Sequence, residues 1–237
     1  MEERVIGVDL GKAQDFTAVV VVKRRERLSP DETDEQHAER LARRRRAEQE
    51  ARDYGLPLSK APEIEPVYWV TDIHRPELGT SYPTIVSAVA KLVARSDEPT
   101  RLVVDATGVG MPVVDMMRDA GLKPVPAWIT SGHEVTNAHG RLGVPKADIV
   151  SCTQALLQSG RLVIASGLDL AGTLIEEMHN YQERRTALGN VTYDTWREGA
   201  HDDLVFALCL AVWLSDRKAW QPFVHIRHQY ARITDGN

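Results

Sequence analysis

Four aspartates stand where apolar elements end or begin, and carboxylates so placed can do chemistry. Asp9 closes the apolar run of "VIGVDLGK" (5–12), Asp105 closes that of "RLVVDATGVG" (101–110), and Asp202 and Asp203 head "HDDLVFALCLAVWLSD" (201–216). Singly, each fits a helix cap or an Asx turn, in which the carboxylate accepts a backbone N–H. Together they fit a shared site. If the strands ending at Asp9 and Asp105 are parallel neighbours, their tips lie one strand spacing apart, about 5 Å. Like charges at that range repel unless they share a proton or a cation. Hard oxygen donors with no cysteine or histidine at ligand spacing favour Mg²⁺ or Mn²⁺.

Other residues near these positions carry two readings each. Lys146 follows Pro145 at a predicted helix start, where the helix dipole disfavours a cation, so it fits either a phosphate contact or a snorkelled surface lysine. Arg184, Arg185 and Arg197 flank a predicted hairpin just before the acidic helix and can hold backbone phosphates; Lys12, on the turn after Asp9, is a further candidate. His201 fits a group that orients a ligand or an attacking water, and equally an exposed neighbour of a helix cap. Gly108 and Gly110 suit both a close backbone approach to a metal or phosphate and a tight strand-to-helix turn. The "GVG" lacks the third glycine of a dinucleotide fingerprint, which excludes that reading.

The elements that must position these residues follow from periodicity. Residues 4–10, 16–23 and 65–72 read as three β-branched strands, the first two joined by a turn at 11–15. Strand and helix then alternate as in an α/β layer. Residues 82–95 and 109–120 have helical spacing, 101–104 and 123–129 read as strands, and a polar loop leads to a helix over 145–159. A short strand at 161–165 precedes a helix over 169–184 with Asp169 as its cap, a hairpin over 184–196 turning at Gly189-Asn190, and an apolar helix over 201–216. Between the second and third strands, residues 24–53 carry nine positive and nine negative charges and no aromatic residue. This is a charged insertion, helical in its second half, extending to about residue 63. Its four arginines at 43–46 suit a solvated helix, a phosphate contact or a partner-binding arm.

With 237 residues, 43% of them hydrophobic, the chain can bury one good core. We expect a single domain over 1–237 with a C-terminal extension at about 217–237. No apolar stretch reaches the roughly 18 residues of a membrane span, and residues 1–4 run straight into a strand rather than a signal peptide, so a soluble cytoplasmic protein is expected. A formal net charge of −5 gives no global field for nucleic acid, so any polyanion must be held locally. Cys152 and Cys209 sit in apolar helical patterns without ligand spacing and read as core thiols.

The order of a strand-tip Asp9, "VVDATGVG" with Asp105, "VPKADIV" at 144–150, a hairpin, and "HDD" heading an apolar helix resembles the nuclease domain of phage large terminases. The similarity runs over most of residues 4–215. It implies an α/β, RNase H-like and RuvC-like fold: a central mixed sheet of five or more strands, three antiparallel strands first, flanking helices, and a small hairpin before the last core helix. It also implies a DNA endonuclease using two Mg²⁺ or Mn²⁺ ions held by Asp9, Asp105, Asp202 and Asp203, with double-stranded DNA as substrate. A separate packaging ATPase, a small terminase subunit or a portal would be its partners, since the sequence contains no G-x-x-x-x-G-K-[ST] loop. Two other readings remain open: a RuvC-like junction resolvase, and a non-catalytic sugar-kinase or actin-type nucleotide-binding domain, for which "HDD" has no use. A third is an assembly module with relict carboxylates.

Overall fold

The structure, a computed structural model, describes residues 3–11, 15–25, 32–55, 66–108, 110–138, 141–185, 191–195 and 201–217; the side chains of 182–185 and 191–195 lie outside the description. The chain opens with β1 (Glu3–Asp9), β2 (Ala18–Arg25) and, after α1 (Asp34–Asp53), β3 (Val67–His74). These three pair antiparallel in succession, with a register shift between Val21 and Val22. Then come α2 (Tyr82–Ala94), β4 (Thr100–Asp105), α3 (Gly110–Asp119), β5 (Pro124–Thr130), β6 (Thr136–Ala138) and β7 (Arg141–Pro145). The chain continues through α4 (Lys146–Gln158), β8 (Leu162–Ile164), α5 (Ala171–Asn180), β9 (Tyr181–Arg185), β10 (Val191–Thr195) and α6 (Asp203–Asp216).

Eight strands form one mixed sheet in the order β6-β7-β5-β4-β1-β2-β3-β8, and β9 pairs with β10 apart from it. The crossover from β3 through α2 puts β4 beside β1 in parallel, with Val8 opposite Val104. Because side chains alternate along a strand, the valine-rich centre is buried on both faces. Val5, Val20, Val22 and Val103 meet α4, α5 and α6 on one face, while Ile6, Val8, Val19, Val21 and Val104 meet α2 and α3 on the other.

The helix α6 is apolar around its whole circumference and buried from Asp203 to Ser215, as a helix wedged among other elements must be. Gly7 lets it lie directly on β1: a Cβ at this position would overlap the carbonyl oxygen of Ala207 and press on Ala211.

Several boundaries differ from those the sequence suggests. The polar loop before α4 contains β6 and β7, and the four buried residues Leu142, Gly143, Val144 and Pro145 suffice for β7 to pair in parallel with β5. The fifth helix stops at Asn180 rather than 184, because Tyr181–Arg185 pairs with Val191–Thr195 and cross-strand bonding overrides the helical spacing. Asp169 does not cap that helix: Leu170 is the cap residue and no side-chain bond is made there. The turn at Gly189-Asn190 lies outside the described residues.

β2 runs on through Arg24 and Arg25, so the charged segment leaves the sheet only after Arg25. Its helix α1 begins with a reciprocal capping box between Thr33 and Gln36 and buries only His37 of its own residues. Buried Glu32 accepts from Arg40 Nε at 2.8 Å, and Arg25 pairs with Asp34 at 3.0 Å. No helix among the described residues is long and apolar enough to cross a membrane.

Candidate metal centre

The parallel register of β1 and β4 decides where the first two carboxylates go. Val8 pairs with Val104, so Asp9 and Asp105 each stand one residue further on, side by side at neighbouring strand ends. The acidic head of α6 arrives from the face on which that helix lies against β1. Burial raises the pKa of Asp9 well above its ordinary value, and the charges of Asp105, Asp203 and Asp202 add to the rise while Lys146 opposes it. Burial also raises Asp105, against hydrogen bonds from Thr107 and the charge of Lys146. Asp203 is pushed up to about 6, by burial first; Arg75 opposes this, and Asp202 and Glu177 add to it.

Each carboxylate is held differently. Asp105 Oδ1 accepts the Thr107 N–H at 2.7 Å, the Asx turn that its position allows, and Thr107 Oγ1 accepts from Ile129 N at 2.9 Å. Gly110 fits close behind, where a Cβ would overlap the Asp105 carbonyl oxygen. Asp202 is the cap residue of α6, yet its side chain makes no cap hydrogen bond. Asp203 is buried, 8% exposed, and among the described residues its Oδ2 has no hydrogen-bond partner. Arg75 Nη2 and His201 Nδ1 stand 3.9 and 3.7 Å from it, within ion-pair range but too far for a hydrogen bond.

A second layer surrounds the head of α6. Glu177 of α5 is buried, and its Oε2 accepts from Leu204 N at 3.1 Å and Val205 N at 3.4 Å. Its other oxygen pairs with Arg75. The Arg75 guanidinium lies 5.3 Å from the centre of the Phe16 ring, which meets His201 edge-on at 4.9 Å. On the other side Lys146, the first residue of α4, places Nζ 5.4 Å from the Phe206 ring and 5.7 Å from the Tyr181 ring.

An all-oxygen donor set with an orphaned buried oxygen is what a hard divalent cation requires. Among the described residues no three His, Cys, Asp or Glu side chains close on a point as a complete metal shell does.

Similar architecture occurs in solved structures. The large terminase nuclease from thermophilic phage G20c superposes with a TM-score of 0.54 at 18% identity, over 89% of this chain and 81% of that one. Its form with bound magnesium gives 0.51 at 21%, over 89% and 80%. The large terminase nuclease domain of Thermus phage P74-26 gives 0.51 at 18%, over 89% and 78%. The fold is that of the phage large terminase nucleases. No protein-family model matches the sequence, and no curated protein matches it.

Within this terminase-nuclease fold, Asp9 lies within electrostatic reach of Asp105, Asp202, Asp203 and Lys146, and Asp203 within reach of Asp202 and His201. Lys146 is half-buried between aromatic rings and faces Asp9 and Asp105, rather than snorkelling at the surface. Arg184 and Arg185 lie on β9 with side chains outside the description, and Lys12 and Arg197 lie outside the described residues. Glu177, Arg75 and Phe16 are neighbours of the site that sequence reasoning misses. The available signal is Glu177 itself: it falls on the buried stripe of Ala171 and Leu174, where an apolar residue is expected.

Proposed function

We propose that the protein is a divalent-metal-dependent endodeoxyribonuclease of the large-terminase kind, with double-stranded DNA as substrate. The observation that carries this reading is the pairing of Asp9 and Asp105 at adjacent parallel strand tips, facing the two acids at the head of α6. Two ions, Mg²⁺ or Mn²⁺, would be held by Asp9, Asp105, Asp202 and Asp203. When bound, they supply Lewis-acid activation of the attacking water and charge neutralisation at the leaving oxygen of the phosphodiester.

The remaining roles belong to the protein. Asp9, which feels the charge of each of the other three acids, would be the central ligand. The Asx turn fixes the orientation of Asp105, and the Lys146 charge offsets part of the carboxylate repulsion. His201 keeps Asp203 Oδ2 directed into the site. Lys12, Arg184, Arg185 and Arg197 hold the DNA backbone near the scissile bond. We assign the chain one nuclease domain with a charged insertion and a C-terminal extension, working in the host cytoplasm with a packaging ATPase, a small terminase subunit or a portal.

The test is incubation of purified protein with plasmid in Mg²⁺ or Mn²⁺, beside linear DNA and four-way junctions. Cleavage of plasmid and linear DNA, abolished by Asp9→Asn and reduced well over tenfold by Asp202→Asn or Asp203→Asn, supports the proposal; His201→Ala costs less. Junction-restricted cleavage assigns a resolvase instead, and absence of cleavage with either metal overturns the proposal.

A further inference from the structure

Resting on the metal-site reading above, we infer that Glu177 is a positioning residue that caps α6 from outside, so that Asp202 is not needed as the cap and can serve the metal beside Asp203. A helix leaves its first N–H groups without partners, and an aspartate at the cap position ordinarily turns back to serve the second or third of them. Here Asp203, Leu204 and Val205 are the first three helical residues. The N–H groups of Leu204 and Val205 both donate to Glu177 Oε2, from a helix 27 and 28 positions earlier in the chain. The work of an Asp202 cap is already done, and the Asp202 side chain makes no cap bond.

Arg75 completes the device. A buried carboxylate is costly unless it is paired and hydrogen-bonded, and Glu177, 6% exposed, has both kinds of partner: two backbone donors and the Arg75 guanidinium. The same guanidinium stands 3.9 Å from Asp203 Oδ2 and fixes the side from which that carboxylate is approached. Its cation–π contact with Phe16 connects it to the segment that follows Asp9. The head of α6 is thus referenced to α5 and to Arg75, just beyond β3, rather than to its own first side chain.

Two measurements on the full-length chain separate this assignment from a structural ion pair. The first is Mn²⁺ affinity by calorimetry. Glu177→Ala lets Asp202 fall back to the cap, and affinity drops about tenfold or more, as loss of a ligand-orienting partner does. Glu177→Gln keeps an acceptor for both N–H groups and stays within about threefold of the parent. Unchanged affinity in Glu177→Ala, or a Gln variant as weak as the Ala variant, overturns the assignment. The Gln arm decides alone if the Ala variant does not fold.

The second is metal-free melting temperature. Asp202→Ala leaves it unchanged or raises it in the parent, because no cap is lost, and lowers it by several degrees in the Glu177→Ala background. Equal effects in the two backgrounds, or a drop in the parent like that of a lost cap, also overturn it. A parent that binds no Mn²⁺ removes the metal reading, whereas the melting comparison still tests who caps α6.

Discussion

Gly7 of β1 lies so close to Ala207 of α6 that no side chain fits between strand and helix. This contact sets the depth at which the helix sits and, with it, the approach of Asp203 to Asp9. Gly7→Ala forces the helix off the strand. Overpacking of this kind costs about 1–3 kcal/mol, read by urea unfolding, and it weakens Mn²⁺ binding as well. A Gly7→Ala variant within about 0.5 kcal/mol of the parent would show that the two elements do not touch as described.

Asp203, raised by burial to about 6, gives a pH dependence of defined sign. Its folded pKa exceeds the ordinary 3.8, so the folded protein binds the proton more tightly than the unfolded chain. The associated stability is present at low pH and disappears as pH rises through about 6. The metal-free protein therefore loses melting temperature between pH 4 and pH 7 relative to Asp203→Asn, in which this component is absent. Metal binding requires the ionised acid, so Mn²⁺ affinity rises over the same interval. Parallel melting curves for parent and variant contradict the burial of this carboxyl.

Asp9 carries the heaviest load of like charge in the site. Asp9→Asn removes one charge from a group that Lys146 only partly compensates and raises the metal-free melting temperature. In the parent, Mg²⁺ or Mn²⁺ at about 100 times its dissociation constant stabilises by about 2.7 kcal/mol, and this gain is lost in the variant. Differential scanning fluorimetry with and without metal reads both effects. A parent melting temperature indifferent to millimolar metal counts against the shared site.

Lys146 opposes the raised pKa of both Asp9 and Asp105. It acts as a resident positive charge, so an incoming cation meets its repulsion. Lys146→Met consequently binds Mn²⁺ about fivefold more tightly, the equivalent of about 1 kcal/mol between well-screened charges, while its metal-free form melts lower. If instead the variant loses only DNA affinity, with metal affinity and melting unaltered, the lysine serves the substrate and not the carboxylates.

The carboxylates were legible because their strands are. Runs of valine, isoleucine and leucine that stop on Asp9 and Asp105 announce buried strands with acidic tips, and the parallel register places those tips together. Short range hides the rest. β7 has only Leu142, Gly143, Val144 and Pro145 to declare itself, and the end of α5 is set by pairing with Val191–Thr195, which no local spacing reports. The pairing of Arg75 with Glu177 spans 102 positions. Nothing near Arg75 in the sequence marks it, and Glu177 shows only as an acid on an apolar stripe.

The register that pairs Arg25 with Val67 makes the two ends of the charged insertion immediate neighbours. Whatever lies between them departs and returns through one doorway, at the end of the sheet where Glu3 meets Arg24, opposite the end where Asp9 meets Ala18. For protein engineering this is a ready grafting port. A fluorescent reporter or affinity module spliced between these ends would sit a strand's length away from the acids.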